Sequence, residues 1–169
     1  MTFSIYCASI PVFKQMLGGL SQVLIKAEAH ARKNKFDPDI LLQARIFPDM
    51  FSLLRQVQSA CDFATNVSAK LANVTAVSFE NNESSFPELQ ARISASLKFI
   101  DGLNPEQIVG SESREILVQA GTPREKRFDG QSYLMNYGMP NFFFHITAAY
   151  CILRHDGVEI GKRDYIGTY

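Results

Sequence analysis

The sequence predicts an all-α protein, a four-helix bundle with a small β-hairpin excursion before the last helix. Three observations lead there. Four segments of helical length repeat their apolar residues at intervals of three and four. One of these opens on a capping box and another on a proline. A single stretch, residues 114–135, switches to a period of two around Gly121-Thr122-Pro123. A chain of 169 residues fills one hydrophobic core, so residues 1–169 are expected to form a single domain.

The first helix is carried by Val12, Met16, Leu20, Val23, Leu24, Ala27 and Ala31, with Lys14, Gln15, Lys26 and Glu28 on its other faces. Its start is open. Pro11 fits the first turn if Ser9 is the cap, but falls in the interior of a helix that begins near Thr2. Gly18-Gly19 within it signals close packing rather than phosphate binding. Asn34-Lys35 and Asp37-Pro38 end the pattern, and a connector over residues 33–48 holds a short apolar turn, Ile40-Leu41-Leu42. The second helix is expected to open at Pro48-Asp49, with Asp49 capping its free amides, and to bury Met50, Leu53, Leu54, Val57, Cys61, Ala64, Ser68 and Leu71. Small residues at 60, 61, 64, 68 and 69 let another helix approach closely, and Ala72-Asn73 followed by β-branched Val74 marks the stop.

The third helix opens at Ser85-Phe86-Pro87-Glu88, where Ser85 and Glu88 form a capping box. It buries Leu89, Ile93, Leu97 and Ile100 and stops at Gly102. Ile116, Val118 and Ala120, the turn, and a return over Arg124 to Phe128 make the hairpin. The last helix begins at Pro140 and runs to Asp156-Gly157. At about 100° per residue, Asn141, His145, Ala148, Ala149 and Ile152 share one face, while Phe143, Tyr150 and Arg154 lie opposite. A helix apolar on both sides suggests a partner surface in addition to a core, hence a homodimer. The tail from Val158 carries no helical period. The long connectors before the second and fourth helices allow non-adjacent helices to pair.

Composition narrows the function. With 46% apolar and 20% charged residues the chain is neither disordered nor fibrous. Lysine plus arginine balance aspartate plus glutamate at 17 each, and no helix shows a basic recognition face, so nucleic-acid binding lacks its driving force. No apolar run approaches a membrane span and no signal segment is evident, so the expected location is cytoplasmic. Cys7, Cys61 and Cys151 are odd in number and widely spaced, and read as reduced, mostly buried thiols. No P-loop, dinucleotide fingerprint, GxSxG or HExxH occurs.

Imidazole chemistry falls to three residues. His30 stands at the end of the first helix beside Arg32 and Lys33 and complements its dipole. His155 lies roughly 15 Å beyond His145 along the last helix, so the two share no ion there. His145 stands one turn after Asn141 with small Ala148 and Ala149 alongside, leaving room for a ligand. Two readings stand: a core histidine bonded across the bundle, for which Gln56 is better placed than Gln58, or an acid–base group or metal ligand. Arg45, Asp49 and Arg154 offer an ion pair into which the Tyr150 phenol could donate; the alternative is an Asp49 cap with surface arginines.

Ala44-Arg45-Ile46-Phe47-Pro48-Asp49-Met50-Phe51, Gln56-Val57-Gln58, Pro140-Asn141-Phe142-Phe143-Phe144-His145, Ala148-Ala149-Tyr150-Cys151-Ile152-Leu153-Arg154 and Gly161-Lys162 together resemble the domain-of-unknown-function family nineteen-ninety-three, which is similar to the DinB/YfiT-like superfamily. The resemblance covers nearly the whole chain. It implies a four-helix bundle, commonly dimeric, in which three histidines hold a divalent metal such as zinc or nickel and some members act as thiol-dependent S-transferases or isomerases. The superfamily's His-x-x-x-His pair and Leu-Arg-x-x-Gly ending map onto Asn141, His145, Leu153, Arg154 and Gly157, and its histidine on the second helix falls near Gln56 or Gln58. Two of the three ligands are thus replaced. With Tyr150 from the reading of the residues themselves, the candidate site is Gln56, Asn141, His145 and Tyr150, degenerate for metal. Two functions follow: a small-molecule-binding or dimerisation protein with a satisfied polar core, or a metal-dependent thiol S-transferase or isomerase working through His145.

Overall fold

The computed structural model describes residues 4–169. Helix α1 (Ile5–Lys33) begins with Ser4, whose hydroxyl accepts from the Cys7 amide. Ser9 is therefore no cap; its hydroxyl donates 2.7 Å to the Ile5 carbonyl inside the helix, and Pro11 sits in the interior, on an exposed position. The Thr2 start lies outside the described residues.

After α1 stops at Asn34, the apolar turn folds as α2 (Asp39–Gln43), with Leu41 and Leu42 buried and Ile40 exposed. Helix α3 (Leu53–Ala72) opens later than expected, with Ser52 as its N-cap. Asp49 does not cap it, because the Leu53 amide bonds back to Ala44 and the Arg45 guanidinium donates to the carbonyls of Pro48 and Met50, which holds residues 44–52 as a bent strap. Met50 is consequently only half-buried, as is Leu54, while Leu53, Val57, Cys61, Ala64, Ser68 and Leu71 are buried. The helix ends at Asn73 in the left-handed region, φ 56°.

Helix α4 (Phe86–Asp101) has both halves of the Ser85–Glu88 capping box and Gly102 as its C-cap. A single turn, α5 (Pro105–Ile108), follows, and then β1 (Glu115–Val118) and β2 (Lys126–Asp129), paired antiparallel with Ile116 opposite Phe128. The chain re-enters helix earlier than its sequence indicated. The short α6 (Gly130–Ser132), with Asp129 accepting from Ser132, passes through a π-helical turn, Tyr133–Gly138, into α7 (Met139–His155). A Cβ on Gly138 would meet Val67 methyls at 2.8 and 3.1 Å, so the π turn presses on α3. The tail is also not featureless: α8 (Lys162–Ile166) lies across α1 where Gly19 admits it, the Tyr165 carbonyl standing 2.9 Å from where a Gly19 Cβ would be.

Non-adjacent helices do pair. Helix α3 lies between α7 and α4, and α1 packs on α4. A continuous apolar core runs from Ile5 to Ile160 and includes Phe13, Leu24, Leu53, Leu89 and Phe142, each contributing about 1.5–3 kcal/mol of burial. Among the described residues, no helix is long and apolar enough to cross a membrane. Of the cysteines, Cys61 is buried, Cys151 half-buried and Cys7 exposed.

Candidate functional site

Helices α3 and α7 make the most extensive contact in the bundle, and their small residues explain why. Ala60, Ala64, Ala148 and Ala149 are small buried residues of the two helices, and longer side chains meet between them. Gln56 and His145 are two such residues. His145 Nδ1 and Gln56 Oε1 are 2.7 Å apart, with Gln56 1% and His145 8% exposed. The Gln56 amide nitrogen donates 3.3 Å to the Phe51 carbonyl, which turns Oε1 toward the imidazole. A carboxamide oxygen only accepts, so Nδ1 carries the proton and the lone pair resides on Nε2.

Aromatic rings flank this imidazole. Phe63 lies nearly parallel to it at 5.5 Å between centroids, Phe51 at 6.3 Å and 12°, and Phe144 meets it edge-on at 5.4 Å. Burial lowers the His145 pKa from its ordinary value, and the positive Arg55 lowers it further. The ring is therefore neutral near pH 7 and acts as a hydrogen-bond acceptor or weak base, not as a cation.

The other expected members stand apart. Asn141 directs its amide to the Tyr137 carbonyl at 2.7 Å, bracing the π turn. Tyr150 lies on the far side of α7 and packs edge-on against Tyr165 at 5.6 Å. Arg154 donates to the Val158 carbonyl and Arg45 to the strap, while Asp49 is exposed; these three form no ion cluster, since α7 ends away from residues 44–52. Gln58 faces another partner, donating 2.7 Å to Glu83. The donor set for a metal is thus one imidazole nitrogen and two carboxamides already engaged. Zinc favours thiolate, imidazole and carboxylate, so these residues do not fit the three-histidine centre. Among the described residues no three His, Cys, Asp or Glu side chains converge.

A second polar cluster escaped the sequence reading. The Arg92 side chain is fully buried between Asp62 (2.5 Å) and Glu83 (2.7 Å), with the Phe79 ring centroid 4.3 Å from its Cζ. Arg55 joins by donating to Gln58 and Asn81, and lies over Phe51 at 5.7 Å. Burial alone would raise the Glu83 pKa, but the hydrogen bonds from Arg92, the backbone and Gln58 outweigh it and hold the carboxyl below its usual range. The cluster pins residues 73–85 to α3 and α4. Arg92 sits on α4 where helical spacing places a buried residue, between Leu89 and Ser96; that was the one available signal.

Comparison with known proteins places this arrangement. The chain is similar to a DinB family member protein from Shewanella denitrificans of known crystal structure, with 37% identity, 98% of this chain and 93% of that one covered, and a TM-score of 0.89. No curated protein matches. The family described as "Domain of unknown function (DUF1993)" matches residues 5–166. Matched by that family over nearly its whole length and by the crystal structure at a TM-score of 0.89, the chain belongs to the DUF1993 family and has a DinB-like fold.

Proposed function

We propose that this chain is a non-catalytic binding or dimerisation protein in which a neutral imidazole–carboxamide pair stands where the fold's metal centre would be. The 2.7 Å contact between His145 and Gln56 carries the reading. A histidine ligand needs two further donors of matching chemistry, whereas Phe51, Phe63 and Phe144 flank this imidazole and, among the described residues, no three His, Cys, Asp or Glu side chains converge. The outer surface of the same wall supports the dimer. Phe51 is 50% and Phe144 56% exposed although both touch one buried ring, and exposed Phe47 lies in the strap beside them. Clustered aromatic surface of this kind is what a second copy covers.

The test is elemental analysis and calorimetric titration of the untagged chain with zinc and nickel, beside His145→Ala, with the mass in solution read by sedimentation. The reading expects a dimer and no stoichiometric metal. One zinc or nickel per chain that disappears in the variant would overturn it and restore a metal-dependent thiol S-transferase or isomerase.

A further inference from the structure

Among the described residues, no main-chain hydrogen bond involves residues 75–83, so the loop that joins α3 to α4 is held by its side chains. Three of them reach the bundle. Phe79 lies over the Arg92 guanidinium at 4.3 Å, and Glu83 accepts from Arg92 and from Gln58 at 2.7 Å each. Asn81, in the left-handed region at φ 57°, accepts from Arg55 at 3.2 Å. The strap over residues 44–52 is closed by two main-chain bonds, the Met50 amide to Phe47 at 3.0 Å and the Leu53 amide to Ala44 at 2.9 Å. Its Phe51 ring is the one that lies parallel to His145.

Arg55 touches both segments. Its Nη1 donates to Asn81 and to Gln58 at 3.2 Å each, and its Cζ stands 5.7 Å from the Phe51 ring centroid. Gln58 gives this contact a direction. It is 1% exposed and its amide nitrogen is committed to Glu83, so only its oxygen is left for Arg55. A rotated carboxamide would set donor against donor at Arg55 and acceptor against acceptor at Glu83. Polar contacts therefore run without a gap from Arg92 through Glu83 and Gln58 to Arg55, and from Arg55 to the ring on His145. The Arg55 charge reaches the imidazole itself, being the second cause, after burial, that lowers the His145 pKa.

We propose that loop 73–85 and strap 44–52 form a single latch across α3, closed by Arg55, so that release of the loop also lifts Phe51 from the His145 ring. When Glu83 leaves, buried Gln58 keeps an unpaired amide nitrogen and is free to turn, and Asn81 departs with the loop. Arg55 then loses both acceptors and follows the solvent, and Phe51 loses the cation over its face. Such coupling is reciprocal, so lifting the strap loosens the loop. The alternative is two segments docked independently on α3. The latch goes beyond binding or dimerisation, since it names what moves one wall of the site; it rests on that site only through Phe51, and a metal at His145 would leave it standing.

The experiment is native-state hydrogen exchange of the full chain, read by NMR at the Met50 and Leu53 amides of the strap, with buried Leu17 and Leu24 of α1 reporting global unfolding. Glu83→Ala cuts the loop from Arg92 and Gln58 without touching the strap. Met50 and Leu53 are expected to exchange about tenfold faster relative to Leu17 and Leu24. In an Arg55→Met background, where the link is already severed, Glu83→Ala is expected to change their exchange by less than about twofold. Asn81→Gly keeps the left-handed backbone and the Arg92 cluster while removing one Arg55 acceptor, so it is expected to give a smaller rise, about threefold, that also vanishes with Arg55→Met. Should Glu83→Ala fail to fold, Asn81→Gly decides alone. The latch is overturned if the folded loop variants leave Met50 and Leu53 no faster than Leu17 and Leu24, or if the rise is as large with Arg55→Met as without it.

Discussion

Replacing Gln56 with leucine tests whether the imidazole is held by the bond described or merely by its aromatic walls. The carboxamide oxygen is the acceptor for Nδ1–H at 2.7 Å, and the amide nitrogen satisfies the Phe51 carbonyl at 3.3 Å. Leucine fills similar volume, so little is lost in packing. The imidazole N–H, however, is left without an acceptor in a site 8% exposed, which costs about 1–3 kcal/mol, while the half-exposed Phe51 regains water for its carbonyl. The net loss is expected to be about 2 kcal/mol in urea unfolding, seen as a lower midpoint with an unchanged slope. Adding His145→Phe to Gln56→Leu removes the stranded donor, so the double variant is expected to recover about 1 kcal/mol or more relative to the sum of the singles. Strict additivity, or a Gln56→Leu loss below about 0.5 kcal/mol, would refute the pairing.

Three further outcomes follow from the same geometry. Arg92→Met strands the Asp62 and Glu83 carboxylates around an uncharged side chain and is expected to destabilise by about 3–5 kcal/mol in urea unfolding, with residues 73–85 becoming the most protease-sensitive segment. Gly18 and Gly19 should diverge. Nothing lies within 4 Å of a Cβ on Gly18, so Gly18→Ala raises the melting temperature by an amount equivalent to about 0.5–1 kcal/mol, whereas Gly19→Ala collides with the Tyr165 and Asp164 carbonyls, costs about 1–3 kcal/mol and releases α8 to proteolysis. Stability is also expected to fall as pH drops below about 6.5. The unfolded chain binds a proton at His145 there while the folded chain, its pKa lowered by burial and by Arg55, does not; the loss accumulates down to the folded pKa, and an unfolding series against pH should show it shrinking in His145→Ala.

Local chemistry made much of the fold legible. The Ser85–Glu88 box, the Asn73 stop and the period-two stretch each act over a few residues, and each element formed where its residues required. Errors arose where a distant contact decided. Asp49 is a good cap by type, but the Arg45 and Leu53 bonds bend the strap and hand the role to Ser52. Helix α8 has no apolar period of its own and exists against Gly19. The π turn depends on Gly138 meeting Val67, residues 71 positions apart. At the site, helical spacing put Gln56 opposite His145 correctly, because both positions are fixed by their own helices. Spacing set Asn141 beside His145 and Tyr150 was assigned to the same site, but their partners, Tyr137 and Tyr165, belong to those two unforeseen elements.

On this reading His145 is a neutral, Nδ1-protonated core imidazole and not a metal ligand. Nitrogen-15 NMR of its ring, recorded at neutral pH before and after equimolar zinc, tests this most directly. The expected spectrum has a protonated Nδ1, an unprotonated Nε2 and no change on adding zinc. A proton on Nε2, or a zinc-induced shift of the Nε2 resonance at one equivalent, would contradict it.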